Sequence, residues 1–423
     1  MGNVNYVLLS FLFFANIATA QIQEIKAHAA FLCNKEFHGR GYVNSGDSIA
    51  AAYVRACFEK NKIASLNGNY YQNFLFDVNT FPGEMEVIHN GKNLKPGIHF
   101  LVHPSSNGGE DILVPKIITH SDLLDAHKLS SILIALKADT LFNSILIDFT
   151  NVSNDTIKLL QPIGEQISSY FPIVEITNKK FTWSVSDYPF NYPYIQIQDS
   201  IYENSGSFQI NIQSLFKKNH EAKNVIGFVP SKKKSDEYII FTAHYDHLGQ
   251  MGESTYFPGA NDNASGTALL LELANKIKQK PLKVNTIFIA FAGEEAGLIG
   301  SNYFVNNSSI DLNKVRFLIN TDIMGSGEDG ITVVNATLHE DAFKLLKNIN
   351  QKKSYLKEIK SRGPAANSDH YWFSQRGVPS FFIYTMGHNK NYHDIFDTFE
   401  NLSFSATENV FHLIYDFAKK LSK

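Results

Sequence analysis

Imidazoles and carboxylates recur in this chain at the ends of apolar runs. The run YIIFTA (238–243) leads into His244-Tyr245-Asp246-His247, and NTIFIAFA (285–292) leads into Gly293-Glu294-Glu295. VRFLINTDI (315–323) carries Asp322 near its end. The loop GANDNASG sets Asp262 just before a helix-like stretch, and His393 follows VPSFFIYTM (378–386), with Asp397-Thr398 close behind. Each feature alone is ordinary: a lone histidine after a strand is usually satisfied by its neighbours, and Asp-Asn in a Gly-rich loop usually makes a turn. Together they form a set. Two imidazoles and three carboxylates are the natural donors for a pair of zinc ions. Two Zn²⁺ bring four positive charges, Asp262, Asp322 and one glutamate bring three negative ones, and a bridging hydroxide completes neutrality. Metals roughly 3.5–4 Å apart activate such a water and polarise a carbonyl. An unligated carboxylate beside the water takes its proton and hands it to a leaving amine. The adjacent Glu294 and Glu295 suit a division into one base and one ligand. Asp246, two residues after His244, can accept the other imidazole N–H and fix the tautomer.

Such a set needs a scaffold that gathers strand ends. Runs of apolar residues without polar alternation indicate strands covered on both faces, hence a mostly parallel sheet. Four of them (238–243, 285–292, 315–323 and 378–386) deliver the polar groups, and open parallel sheets bind ligands at the carboxyl ends of their strands. Helices are expected over 265–279, where Leu270, Leu273, Ala274 and Ile277 share a face, and over 408–422, with Thr407 as N-cap. Two amphipathic helices are expected over 22–33 and 47–60, flanking the Gly-rich turn EFHGRGYVNSG. Between 86 and 200 short β-like runs dominate: HFLVH, ILVPKIIT, SILIAL, SILIDFT, PIVEIT, FTWSV and YIQIQ. One helical stretch, DTIKLLQPIGEQISSY, interrupts them. The expected organisation is a signal segment (1–20), an N-terminal helical part of the catalytic domain (21–85), an inserted β-rich lobe (86–204) and the domain carrying the site (205–423). The fold class is α/β, a mostly parallel mixed sheet sandwiched by helices.

Composition is consistent with this. The 423 residues are 44% hydrophobic and 19% charged, as in a folded globular protein. A net charge of -3, from 38 Lys+Arg against 41 Asp+Glu, gives no global bias towards nucleic acid. Two cysteines, Cys33 and Cys57, cannot make a disulfide scaffold, while 15 histidines leave ample imidazole ligands. Val7–Ala18 is almost wholly apolar and ends in Ala18-Thr19-Ala20. It reads as a secretory signal cleaved before Gln21, which places the mature protein in a secreted or periplasmic setting, off the membrane.

Six segments in order, AHYDHLG, GANDNASG, AFAGEEAGLIGS, NTDIMG, NSDHYWF and YHDIFDT, resemble the co-catalytic di-zinc exopeptidases of metallopeptidase family twenty-eight, the aminopeptidase Y type. The resemblance covers about 205–423; the turn EFHGRGYVNSG and the lobe, which is similar in texture to a protease-associated domain, extend it. It implies that Asp262 bridges two zinc ions, that His244 and Asp322 complete one site, and that Glu295 and His393 complete the other. Glu294 is then the general base and Asp246 the partner of His244. A cis peptide bond is implied after Asp262. The tyrosine that some members carry three residues before Ser-Asp-His is here Ala365, leaving the oxyanion donor unassigned, with Tyr384 a candidate. His247, His370 and His388 are competing imidazoles. The activity implied is release of N-terminal residues from peptides. A mono-zinc glutaminyl cyclase-like acyltransferase and a zinc carboxypeptidase are the alternatives on the same fold. Monomer and dimer stay open.

Overall fold

A strand whose residues are all apolar must be covered on both faces, and the central sheet meets that condition. The computed structural model describes residues 21–203 and 206–423; the expected signal segment 1–20 lies outside them. Among the described residues the sheet has nine strands. Its middle runs Asn285–Phe291, Tyr238–His244, Val315–Thr321 and Ser380–Met386, all mutually parallel. Gly330–Val334 adds antiparallel to Ser380–Met386 and carries Ile359–Ser361 beyond it. On the other side the long strand Leu215–Val229 is antiparallel both to Asn285–Phe291 and to Tyr71–Thr80. The buried core includes Phe241, Phe288, Ile319 and Phe381 from the strands. Leu270, Leu273, Ala274 and Ile277 of helix Gly266–Gln279, and Val410, Phe411 and Ile414 of helix Thr407–Leu421, pack into it. The early helices fall at 21–32 and Gly46–Lys60. Thr407 is the first residue of its helix rather than its cap: its hydroxyl donates to the carbonyl of Met324, 3.1 Å away.

Between the early helices and the site-bearing half lie two further sheets. One orders Phe100–Val102, Tyr194–Gln198, Ile173–Thr177, Ser144–Asp148 and Pro115–Ile118, with the last four parallel. The other is antiparallel and orders Lys92–Asn93, Met85–His89, Phe208–Ile212 and Gly109–Leu113. Two β-like runs are not strands. SILIAL lies inside helix Ala126–Lys137, because Leu129, Ile132, Leu133 and Leu136 recur at helical spacing and pack on one core. FTWSV is irregular: Phe181 and Trp183 are buried, but the backbone around them pairs with loops instead of a sheet. Cys33 and Cys57 are free thiols.

Candidate metal centre

His244 is the last residue of its strand, and Asp322 directly follows the neighbouring strand Val315–Thr321. Parallel pairing of these strands sets the two residues side by side at one rim. His244 Nε2 lies 3.3 Å from Asp322 Oδ2 and 3.3 Å from Asp262 Oδ1. The other oxygen of Asp262 lies 3.1 Å from His393 Nε2, which is 3.2 Å from Glu295 Oε2. Asp262 thus stands between two imidazole–carboxylate pairs, offering one oxygen to each. Glu294 Oε2 lies 4.0 Å from His244 Nε2. All seven residues expected from the sequence meet here.

His247 joins them. Its Nδ1 lies 2.6 Å from Glu295 Oε1, and its ring meets that of His393 edge-on. His388 is exposed, and His370 packs against Phe382. Asp246 differs in detail from expectation. The Nδ1 of His244 is nearer its backbone carbonyl, at 3.2 Å, than its carboxylate, at 3.8 Å. That carboxylate instead accepts from the hydroxyl of Tyr42 at 2.6 Å and from the backbone N–H groups of Glu294 and Glu295. One residue therefore fixes the imidazole through its carbonyl and the acidic pair through its side chain.

Further groups position these side chains. Asp397 accepts the backbone N–H groups of Asn261 and Asp262, each at 3.0 Å. Arg40, fully buried, donates to the carbonyls of Tyr245, Leu32, Pro258, Gly259 and Asp262. Ser368 donates to Asp322 Oδ2. His393 Nδ1 faces the carbonyl of Trp183 at 2.9 Å, and the N–H of Trp183 donates to the carbonyl of His393 at 2.8 Å. The peptide bond Asp262–Asn263 is cis. Gly259, at φ +55, has no room for a Cβ, which would meet the His247 ring at 2.3 Å. Asp397 and the cis bond had sequence signals, in Asp397-Thr398 and the loop GANDNASG, and Arg40 lies in the unusual turn EFHGRGYVNSG; a backbone carbonyl such as that of Trp183 has none.

The electrostatics follow from burial and crowding. Burial works against a charged His393, but the carboxylates of Glu295 and Asp262 outweigh it and hold the ring up at about 11. His244 is raised in the same way, burial being overcome by Glu294 and Asp322. Asp262 is held well below the usual range, since His244 and His393 outweigh its burial. Burial, with the charges of Glu295, Asp369 and Asp322, pushes Glu294 well up. The cluster thus binds positive charge strongly. Its donors fit metal ions: His244 Nε2, His247 Nε2 and Asp322 Oδ1 are buried with no hydrogen-bond partner. Such atoms are costly unless something satisfies them. His244, Asp262 and Asp322 form one group whose ligand atoms lie within 4.8 Å of one another, and His247, Asp262 and Glu295 form another. Above them opens a cavity of about 290 Å³, lined by Glu294, Arg362, Asn367, Phe382, Tyr384 and Tyr392. That is the size of a small-molecule or short-peptide site.

The fold is thus an α/β sheet, parallel in its middle, with an imidazole–carboxylate cluster at its carboxyl rim. Residues 224–418 match the sequence model of Peptidase family M28. The aminopeptidase YwaD of Bacillus subtilis (strain 168) is 37% identical over 110 residues, 26% of this chain and 23% of that protein. A probable leucine aminopeptidase of Trichophyton verrucosum (strain HKI 0517) is 33% identical over 196 residues, 43% of this chain and 51% of that one. The matches thus span about a quarter and about half of these two relatives. Solved structures extend the fold likeness over nearly the whole chain. The zinc aminopeptidase BSAP from Bacillus subtilis superposes with a TM-score of 0.71 at 19% identity, covering 95% of each chain. A Peptidase M28 precursor from Shewanella amazonensis SB2B gives 0.67 at 13% identity, covering 96% of each.

Proposed function

We propose that this protein is an exported, zinc-dependent aminopeptidase that hydrolyses N-terminal residues from peptides. The observation that carries the reading is Asp262, set between two imidazole–carboxylate pairs with one oxygen facing each. In this reading His244, Asp262 and Asp322 hold one zinc ion, and Asp262, Glu295 and His393 hold a second. Bound zinc would supply a Lewis acid for the scissile carbonyl and lower the pKa of water to near neutrality. The remaining work falls to the chain itself. Asp246 and the carbonyl of Trp183 hold the two imidazoles with Nε2 facing Asp262. Glu294, on the cavity wall and outside the two donor sets, accepts the proton of the attacking water and returns it to the departing amine. Phe382 and Tyr392 line the cavity that would receive the peptide end.

Glu294→Gln keeps the shape and removes the base. Hydrolysis of leucyl chromogenic substrates should fall on the order of 10²–10⁴-fold with zinc content unchanged. Full retention of activity would sink the assignment. Run beside N-terminally blocked peptides, the same panel separates this reading from a carboxypeptidase, which would cleave the blocked ones. Export rests on the apolar segment ahead of Gln21. Among the described residues no helix is long and apolar enough to cross a membrane. The mature chain recovered outside the cytoplasm should begin at Gln21 on N-terminal sequencing; an intact Met1 there would contradict cleavage.

A further inference from the structure

We propose that Arg362 is the carboxylate-recognising residue of the substrate cavity, so that the preferred substrates carry a free carboxylate close to the scissile bond. The inference rests on the peptidase reading above and narrows it.

Arg362 lines the same cavity as Glu294, Asp322 and His393. Among the described residues its side chain has a single hydrogen bond, from NH1 to the hydroxyl of Tyr384 at 3.3 Å, and no carboxylate within ion-pair distance. The chain's other arginines are already engaged. Arg40 is saturated by carbonyls, Arg55 pairs with Glu59, Arg316 pairs with Glu237, and Arg376 donates to Asn306. Neighbouring lysines are matched too: Lys360 lies 3.7 Å from Glu358, and Lys357 lies 3.3 Å from Asp329.

The backbone at Arg362 is anchored, and its side chain is exposed at the cavity wall. Arg362 directly follows strand Ile359–Ser361, its N–H donates to the carbonyl of Val333 at 2.9 Å, and its own carbonyl accepts from Ala336 at 3.1 Å. A planar fork of N–H donors on an anchored backbone, lining a cavity and lacking an anion, suits a carboxylate. The acidic groups on the same wall do not supply it. Asp262 and Asp322 are committed to the metal donor sets, whose charges close to neutrality when filled, and Glu294 is the base. In a cavity of about 290 Å³ the carboxylate has two sources. One is the side chain of an acidic N-terminal residue, and the other is the C-terminus of a dipeptide.

Calorimetry on zinc-loaded Glu294→Gln protein, with and without R362M, tests this without turnover. The first pair of ligands is free glutamate and glutamine. The second is leucyl-glycine and its C-terminal amide. At least one carboxylate member should bind about tenfold or more tightly than its amide partner, and R362M should bring that ratio close to one. R362K should keep part of it. The pair whose ratio collapses names the source. Ratios near one in the parent protein, ratios that survive R362M, or no measurable binding would each overturn the proposal. Turnover of the dipeptide by the Glu294→Gln protein would count against the base and leave the glutamate–glutamine ratio readable.

Discussion

At the scale of single residues, the site divides into groups that could be read and groups that could not. The prospective ligands are side chains at the ends of apolar runs, so residue type and spacing reveal them. What holds them is mostly backbone chemistry, which any sequence can supply. The loop carrying Asp262 shows this. Its N–H groups at 261 and 262 point into the protein and are satisfied by the Asp397 carboxylate, which is fully buried. Burial pushes that carboxyl up to about 7, against the pull of the two backbone donors. Removing it leaves two buried N–H groups unpaired, each costing about 1–3 kcal/mol. Asp397→Ala should therefore lower the unfolding midpoint and weaken zinc binding roughly 10–100-fold, as loss of a supporting group typically does. Unchanged affinity in a competition titration with a chelating dye would show that Asp397 does not position the loop.

At the scale of elements, the central strands were legible because a buried parallel strand has a simple signature, an unbroken apolar run ending in polar residues. The intervening region was less so. A short apolar run fits a strand or a buried helix equally well, and SILIAL is a helix because its apolar residues continue the spacing set by Leu129. The run FTWSV carries more consequence. Its spacing suggests one more strand, yet the Trp183 carbonyl faces the His393 ring and its N–H donates to the His393 carbonyl. Lys180 reinforces the grip: its ammonium lies 2.5 Å from the buried carboxylate of Asp394 and donates to the carbonyl of Lys390. The segment carrying Lys180 and Trp183 thus orients one prospective ligand, and cutting that link should disturb one half of the centre more than the other. Lys180→Ala removes a half-exposed partner from a buried acid, a change worth about 1 kcal/mol after screening. A zinc titration should show one of two binding steps weakened several-fold while the other holds. Equal weakening of both steps would place the effect in global stability instead.

At the scale of the whole molecule, the net charge of -3 hides how unevenly acids are buried. Outside the centre the clearest case is Glu175 in strand Ile173–Thr177, which is 5% exposed. Burial pushes its carboxyl up to about 7, although the Tyr194 hydroxyl at 2.6 Å and the Gln196 amide at 3.0 Å both donate to it. Its folded-state pKa lies above its unfolded value, so the folded chain binds this proton more tightly. The resulting stability is fully present below about pH 4.5 and is lost as pH rises through about 7. For so buried a group the change is on the order of 3 kcal/mol. Glu175→Gln keeps an acceptor for Tyr194 and cannot ionise. The difference in unfolding free energy between parent and variant should therefore shift by that amount in the variant's favour between pH 4.5 and pH 7.5, then stay flat at higher pH. Taking the difference cancels the carboxylates of the metal centre, which are the same in both proteins. Urea unfolding of the zinc-loaded proteins at both pH values reads it directly. Parallel pH profiles would mean that Glu175 titrates alike in the folded and unfolded protein and that its two donors offset its burial.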